Sequence, residues 1–250
     1  VLQATAFSVA LRQLLPSPPA IFANMPVTKA RPCPNCHQVA HCPIAPLAAE
    51  HLVRCGNCGM TFTGWEPSEE ELKNFYGRYP AITEISPVTL RRYDELLDAF
   101  EPYRHTSRLL EVGCGGGHFL DRAAKRGWQV HGTEYGAIPF AMCRSRGIKV
   151  TEGLLDPNDH PKEGFDIACS FEVIEHVPSP SIELDHMLAL LRPGGLVYVT
   201  TPNFNCLARR VAPKDWNVAS YPEHLNYFTP RSLHHMLRSK GLQRKWLTTS

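Results

Sequence analysis

The chain of 250 residues lacks any run of 18 or more apolar residues, which argues against a membrane-spanning helix. It also lacks an excess of one charge. A formal net charge of +2 supplies no electrostatic case for a nucleic-acid or anionic-membrane partner. No basic leader precedes the mildly apolar N-terminal stretch, and Arg12 interrupts that stretch, so a secretory signal is the weakest account of it. We expect residues 1–24 to be an upstream extension or mis-assigned start ahead of Met25, with a disordered leader as the alternative. Hydrophobic residues at 43% and charged residues at 20% then leave room for one full-sized domain and a small appendage.

Cysteine is not scarce, but it is unevenly placed. Cys42, Cys114, Cys143, Cys169 and Cys206 are scattered without a disulfide-like arrangement, which points to a reducing, cytoplasmic setting. The other four form Cys33-Pro-Asn-Cys36 and Cys55-Gly-Asn-Cys58, separated by 18 residues. Two such turns can aim four thiolates at one Zn²⁺ and leave no open position for a substrate. A segment over 25–64 is too short to bury a core, so a structural zinc would supply most of its folding free energy. Redox pairs are the competing reading. His37, His41, His51 and Cys42 are spare ligands that a complete four-cysteine set does not need.

Residues 65–107 read as a helical connector. Ser68 and the acidic run after it predict a helix over 67–76, with Leu72, Phe75 and Tyr76 toward the core. A second helix is expected over 90–100.

From residue 108 the pattern changes to apolar strands alternating with helices, as in an α/β fold with a mostly parallel, doubly wound sheet and helices on both faces. The strand Leu109 to Val112 runs into Gly113-Cys114-Gly115-Gly116-Gly117. Such a loop lets a nucleotide-type cofactor approach the end of a parallel strand. A dinucleotide fingerprint would need glycine where His118 stands, and no Gly-Lys-Ser/Thr of a P-loop follows.

Instead Glu111 precedes the glycines as E-x-G-x-G-x-G, which resembles the first motif of the class I S-adenosylmethionine-dependent methyltransferases. The resemblance implies that Gly113, Gly115 and Gly117 pack against the methionine part of the cofactor and that Glu111 helps hold its ammonium end. It continues in order through residues 108–250. Glu134 ends the second strand, where a carboxylate accepts both ribose hydroxyls. Tyr135 would flank the adenine. Gly153-Leu154-Leu155 matches the loop beside it, without the usual acidic residue after the glycine. The blocks over 165–177, including Phe171, and 196–203 resemble the fourth and fifth motifs.

Methyl transfer is an in-line displacement, so positioning dominates, and a hydroxyl acceptor also needs a base. His176 is one candidate. Glu172, Glu175 and His176 stand at i, i+3 and i+4 and would share a face of a helical turn. The E-x-x-E-H pattern is similar to that of ubiquinone-pathway O-methyltransferases, where it resembles an acceptor or divalent-metal site, with Mg²⁺ the lesser reading. A helix cap or cofactor-pocket lining is the bland alternative. His224 is the second candidate, in the loop before a helix capped by Thr229 and opened by Pro230. Tyr227 and Phe228 stack on a ring or belong to the core, the core being expected for Phe228. His234 and His235 are expected at the surface, and the segment 206–220 with Trp216 over the pocket.

The fold normally has seven strands. Here a sixth, over 242–249, runs into the end of the sequence, so either the chain is cut short or another element covers that sheet edge. The function expected is methylation of a small molecule, a sugar or secondary metabolite, with oxygen ahead of carbon or nitrogen. An RNA methyltransferase is the alternative, disfavoured because 25–64 hold only Lys29, Arg31 and Arg54 as fixed positive charges. A binding protein that no longer catalyses is the second alternative. Oligomeric state is left open.

Overall fold

A computed structural model describes residues 31–44, 52–211, 218, 220–243 and 245. The extension over 1–24, His51 and Trp216 lie outside the described residues, as does most of the strand expected over 242–249. Residues 242, 243 and 245 are not in a strand. No helix among the described residues is long and apolar enough to cross a membrane.

Two compact units divide the chain. Residues 69–202 and 222–226 form one, and the described parts of 1–68, 203–221 and 227–250 form the other. The second grouping draws on segments that lie on both sides of residues 69–202 in the sequence. Its reason is packing: Leu52, Phe204 and Tyr227 share one buried cluster, and Phe204 N–H donates to the Phe228 carbonyl at 2.8 Å.

In this cysteine-bearing unit β1 (His41–Pro43), β2 (Leu52–Cys55) and β3 (Thr61–Thr63) run antiparallel, with Cys55 opposite His41 and Phe62 opposite Val53.

The larger unit opens with α1 (Glu69–Tyr76) and α2 (Pro87–Phe100), the latter capped by the Ser86 hydroxyl, which accepts from Thr89 N–H at 3.1 Å. Leu72, Phe75 and Tyr76 are only half-buried. There follow β4 (Arg108–Val112), α3 (His118–Lys125), β5 (Gln129–Glu134), α4 (Ala137–Ser145), β6 (Lys149–Glu152), β7 (Phe165–Phe171), α5 (Pro180–Leu190) and β8 (Leu191–Thr200). The sheet order is β6-β5-β4-β7-β8, every pair parallel. The first strand lies at the centre and the order reverses beside it, so the crevice at its carboxyl end is where such sheets hold ligands.

Alternation along the strands builds the two apolar layers. Leu109, Ile167, Cys169 and Leu196 pack with Leu97 and Phe100 of α2 and Phe119, Leu120 and Ala123 of α3. Leu110, Val112 and Ala168 face the other way, onto Met187 and Leu190 of α5. Ion pairs Arg122–Asp94 and Arg126–Asp98 tie α3 to α2. At the start of β7, Asp166 is fully buried and accepts from the N–H groups of His105, Thr106 and Ser107 at 2.8, 2.8 and 2.7 Å and from Arg192 Nε at 2.6 Å.

Beyond β8 the chain forms α6 (Leu207–Val211), the short strand β9 (Asn226–Tyr227) and α7 (Pro230–Ser239). Thr229 and Ser232 form a reciprocal capping box with Pro230 at the first position. Phe228 is buried, as is Tyr227, which belongs with the core rather than with a stacked ligand. His234 is half-buried and His235 exposed.

Candidate functional site

The glycine-rich loop leaves β4 and turns at once into α3. Cys114 N–H donates to the Thr133 carbonyl at 2.9 Å, which ties the loop to β5. The glycines are not equivalent. A Cβ at Gly113 would stand 2.5 Å from a Val173 methyl, so the protein itself fills that side. At Gly117 the obstacles are Ile148 and Cys143. A Cβ at Gly115, where φ is +53°, would meet nothing within 4 Å, so this face of the loop is open for a ligand.

Glu134 closes β5 beside that opening. Its Oε2 accepts from Gly115 N–H and its Oε1 from Gly136 N–H, both at 2.7 Å. Burial raises its pKa although these backbone donors oppose the shift. A carboxylate offers more lone pairs than two donors use, so capacity remains for a pair of hydroxyls. Glu111, on β4, is 4% exposed, and its Oε2 has no hydrogen-bond partner among the described residues. Burial, then Cys143 and Glu134, push its pKa well up. A buried carboxylate with an orphaned oxygen beside an open glycine is an environment that a cationic group would relieve. Glycine cradle, ribose-type acceptor and orphaned carboxylate thus fit an S-adenosyl cofactor, and Glu111, Gly115 and Glu134 are the residues that would hold it.

The remaining residues expected at the cofactor differ in placement. Tyr135 is half-buried, with its ring 5.5 Å from that of Tyr76, edge to face. Leu154 is 55% exposed, an uncovered apolar side chain directly after Gly153. Phe171 departs from the expectation. Its ring packs against Phe119 at 4.9 Å and Tyr198 at 5.7 Å, because this position of β7 faces the layer beneath α3.

Beyond β7 the chain does not form the helical turn expected for Glu172, Glu175 and His176. Glu172 adopts φ +54°, residues 174–176 make a turn, and helix starts only at Pro180. Left-handed backbone at a non-glycine residue is strained, and such strain gathers at functional sites. In this turn His176 gains a different set of neighbours. Ligand atoms of Glu175, His176 and His224 lie within 4.8 Å of one another, and the two imidazole rings stand 4.6 Å apart.

His176 Nδ1 lies 2.7 Å from the Glu223 carbonyl, which only accepts, so Nδ1 carries the proton and Nε2 the lone pair. Burial, then His224, lowers the His176 pKa to about 4, so the ring is neutral. Its Nε2 stands 3.7 Å from Oε1 of Glu175, a side chain 2% exposed. Burial, then Glu172, pushes the Glu175 pKa well up. Two imidazoles with one carboxylate suit a transition ion or Zn²⁺ better than Mg²⁺, which prefers oxygen. The donors therefore do not fit Mg²⁺.

One organiser of this turn went unread in the sequence. Asn226 is buried and its Nδ2 donates to the carbonyls of Ile174 at 2.9 Å and Val177 at 2.8 Å, while Leu225 and Asn226 N–H groups donate to the Glu175 carbonyl. The only signal was an asparagine two residues after His224.

In the other unit the sulfurs of Cys33, Cys36, Cys55 and Cys58 lie within 4.8 Å of one another, with the Cys33–Cys58 and Cys36–Cys55 pairs at 3.5 Å. Zn–S bonds of about 2.3 Å place the sulfurs of a tetrahedron about 3.8 Å apart, so the donor set fits Zn²⁺. His41 packs its ring on Phe62 instead, and Cys42 is exposed.

The methyltransferase domain family matches residues 85–244. Ubiquinone biosynthesis O-methyltransferase of Aeromonas salmonicida (strain A449) is 28% identical over 179 residues, 66% of this chain and 74% of that protein. The protein of the same name from Paramagnetospirillum magneticum (strain ATCC 700264 / AMB-1) is 30% identical over 212 residues, 73% of this chain and 78% of the relative. The crystal structure of an S-adenosylmethionine-dependent methyltransferase from Archaeoglobus fulgidus matches with a TM-score of 0.51 at 20% identity, over 62% of this chain and 68% of that one. That last likeness shows the fold alone. On the family match and the 30% relative, the chain belongs to the methyltransferase domain family and is a class I S-adenosylmethionine-dependent methyltransferase.

Proposed function

We propose that the chain methylates an oxygen of a small molecule, a sugar or secondary metabolite, using S-adenosylmethionine. The observation that carries this reading is the open face of Gly115 beside Glu134, with a neutral histidine on the carboxyl side of the same sheet. The two relatives quoted above are named O-methyltransferases, which favours oxygen.

In this reading Glu134 takes the ribose hydroxyls, Gly113, Gly115 and Gly117 shape the floor, Glu111 faces the ammonium end, and Tyr135 and Leu154 cover the adenine. The cofactor supplies a methyl group already activated on a sulfonium, so that the new carbon–oxygen bond forms as the carbon–sulfur bond breaks. His176 Nε2, with Nδ1 anchored on the Glu223 carbonyl, accepts the hydroxyl proton, and His224 lines the acceptor side. A pKa near 4 makes His176 a weak base that needs the acceptor hydroxyl already polarised. The four thiolates hold a structural Zn²⁺, and no chemistry passes through it.

We read the domains as a zinc module over 25–64, a helical connector over 65–107 and the cofactor-binding domain over 108–250. Thiolate ligation favours a reducing, cytoplasmic setting. RNA is not favoured as the acceptor: Arg31 is 3% exposed, its guanidinium donating to Thr63 Oγ1 and lying over Phe62, so of the fixed positive charges considered Arg54 is the exposed one among the described residues.

Calorimetric titration of the purified chain with S-adenosylmethionine, alongside Glu134→Ala, tests the cofactor half. Micromolar binding lost in the variant is expected. An acceptor screen of sugars and phenols, read by formation of S-adenosylhomocysteine, tests the rest. A folded, zinc-loaded chain that binds no cofactor would hand the lead to the non-catalytic reading.

A further inference from the structure

Tyr76 is the last residue of α1, and its ring leans edge-on against Tyr135, the residue immediately after Glu134. Its hydroxyl oxygen is buried and has no hydrogen-bond partner among the described residues. Burial, then Tyr79 and the carboxylates Glu223, Glu175 and Glu134, push the phenol pKa up, so it stays a neutral donor. The neighbouring Tyr79 differs. Its hydroxyl donates to Glu223 Oε1 at 3.2 Å and is satisfied within the fold.

A phenol buried for packing alone finds a partner in almost every folded protein, and an orphaned one calls for an explanation. Here the charged groups around it come from the end of β5, from the turn after β7 and from the segment carrying His224. In the function proposed above, these elements border the place where cofactor and acceptor meet. Bracing by Tyr135 assigns Tyr76 to the cofactor half of that place.

We propose that the Tyr76 hydroxyl donates a hydrogen bond to an oxygen of the bound S-adenosyl cofactor, so that α1 contributes a cofactor-binding residue from outside the motifs of the sheet. This rests on the cofactor reading above. It accounts for an aromatic residue that the sequence pattern assigned only to the core.

The test is calorimetry with S-adenosylmethionine and with S-adenosylhomocysteine on the whole chain, Tyr76→Phe and Tyr79→Phe. Tyr76→Phe keeps the ring on Tyr135 and should weaken both ligands about tenfold, the scale of one hydrogen bond to a polar or charged oxygen. Tyr79→Phe should bind as the parent does. Unchanged affinity in Tyr76→Phe overturns the proposal. A readout independent of variant folding is the fluorine resonance of ring-fluorinated tyrosine at position 76. It should shift when S-adenosylhomocysteine is added, and an unmoved resonance overturns the contact. A parent that binds neither ligand defeats the cofactor reading, and this inference with it.

Discussion

Glu134 Oε2 accepts a 2.7 Å hydrogen bond from the N–H of Gly115, a glycine whose outer face is open. The end of the second strand is thereby fastened to the loop after the first. A carboxylate fixed by backbone donors costs little to reorganise when hydroxyl groups arrive, which is the general advantage of preorganisation.

The glycines therefore predict opposite failures. Gly115→Ala meets only backbone strain at φ +53°, on the order of 1 kcal/mol, and should fold while losing cofactor affinity by more than about tenfold. Gly113→Ala forces a methyl against Val173 and should cost roughly 2–3 kcal/mol of stability. Chemical denaturation and calorimetry on both variants separate the two. Parent-like binding by Gly115→Ala would remove the open face from the argument.

Zinc at the four thiolates predicts one equivalent of metal per chain by elemental analysis of protein purified without added zinc. Cys36→Ser should lower that content. It should also expose the amides of 52–63 to hydrogen exchange, because so small a sheet draws its stability from the ion. Exchange in β4 and β7 should change far less. Full protection of 52–63 after chelation would mean that the cysteines are not ligands.

The sequence disclosed the sheet because four of its five parallel strands end at a glycine or an acid, as at Val112-Gly113 and Thr133-Glu134. Thr229 and Pro230 marked a helix start for equally local reasons, a side-chain acceptor followed by a fixed φ. The turn at Glu172 was not legible. Spacing alone suggested a helical face, while the observed φ of +54° depends on contacts from elsewhere, including the Thr200 carbonyl and hydroxyl that accept from Glu172 N–H. Tyr76 was hidden for a different reason. An aromatic residue at helical spacing reads as core, and only the fold reveals that its hydroxyl has no partner among the described residues.

Asp166 sets an acid limit. Burial would raise its carboxyl, but the Arg192 guanidinium and three backbone N–H donors outweigh that and hold it below the usual carboxylate range. A folded pKa below the unfolded value gives stability that is present above the unfolded value, about 3.9, and lost as pH falls through the folded one. Melting should therefore fall below about pH 4. Asp166→Asn should lose roughly 3 kcal/mol at neutral pH, since Arg192 keeps its burial and loses its anion, and should show a flatter acid limb. An identical acid limb in the variant would mean that other carboxylates control it.

Asn226 offers the sharpest separation of folding from transfer. Its amide holds the carbonyls of Ile174 and Val177, and the same turn presents Glu175 and His176. Asn226→Asp is nearly isosteric but turns an oxygen toward those carbonyls, so the clamp becomes repulsive. The expected loss is about 1–3 kcal/mol in chemical denaturation. Affinity for S-adenosylhomocysteine should stay within about twofold of the parent, because Glu134 and Gly115 are untouched; twofold is worth only about 0.4 kcal/mol. Turnover, once an acceptor is found, should fall by more than about a hundredfold, since displacement of the His176 ring by about 1 Å spoils the alignment that transfer requires. Parent-like turnover in Asn226→Asp would detach the histidine pair from the reaction and leave the turn a purely structural element.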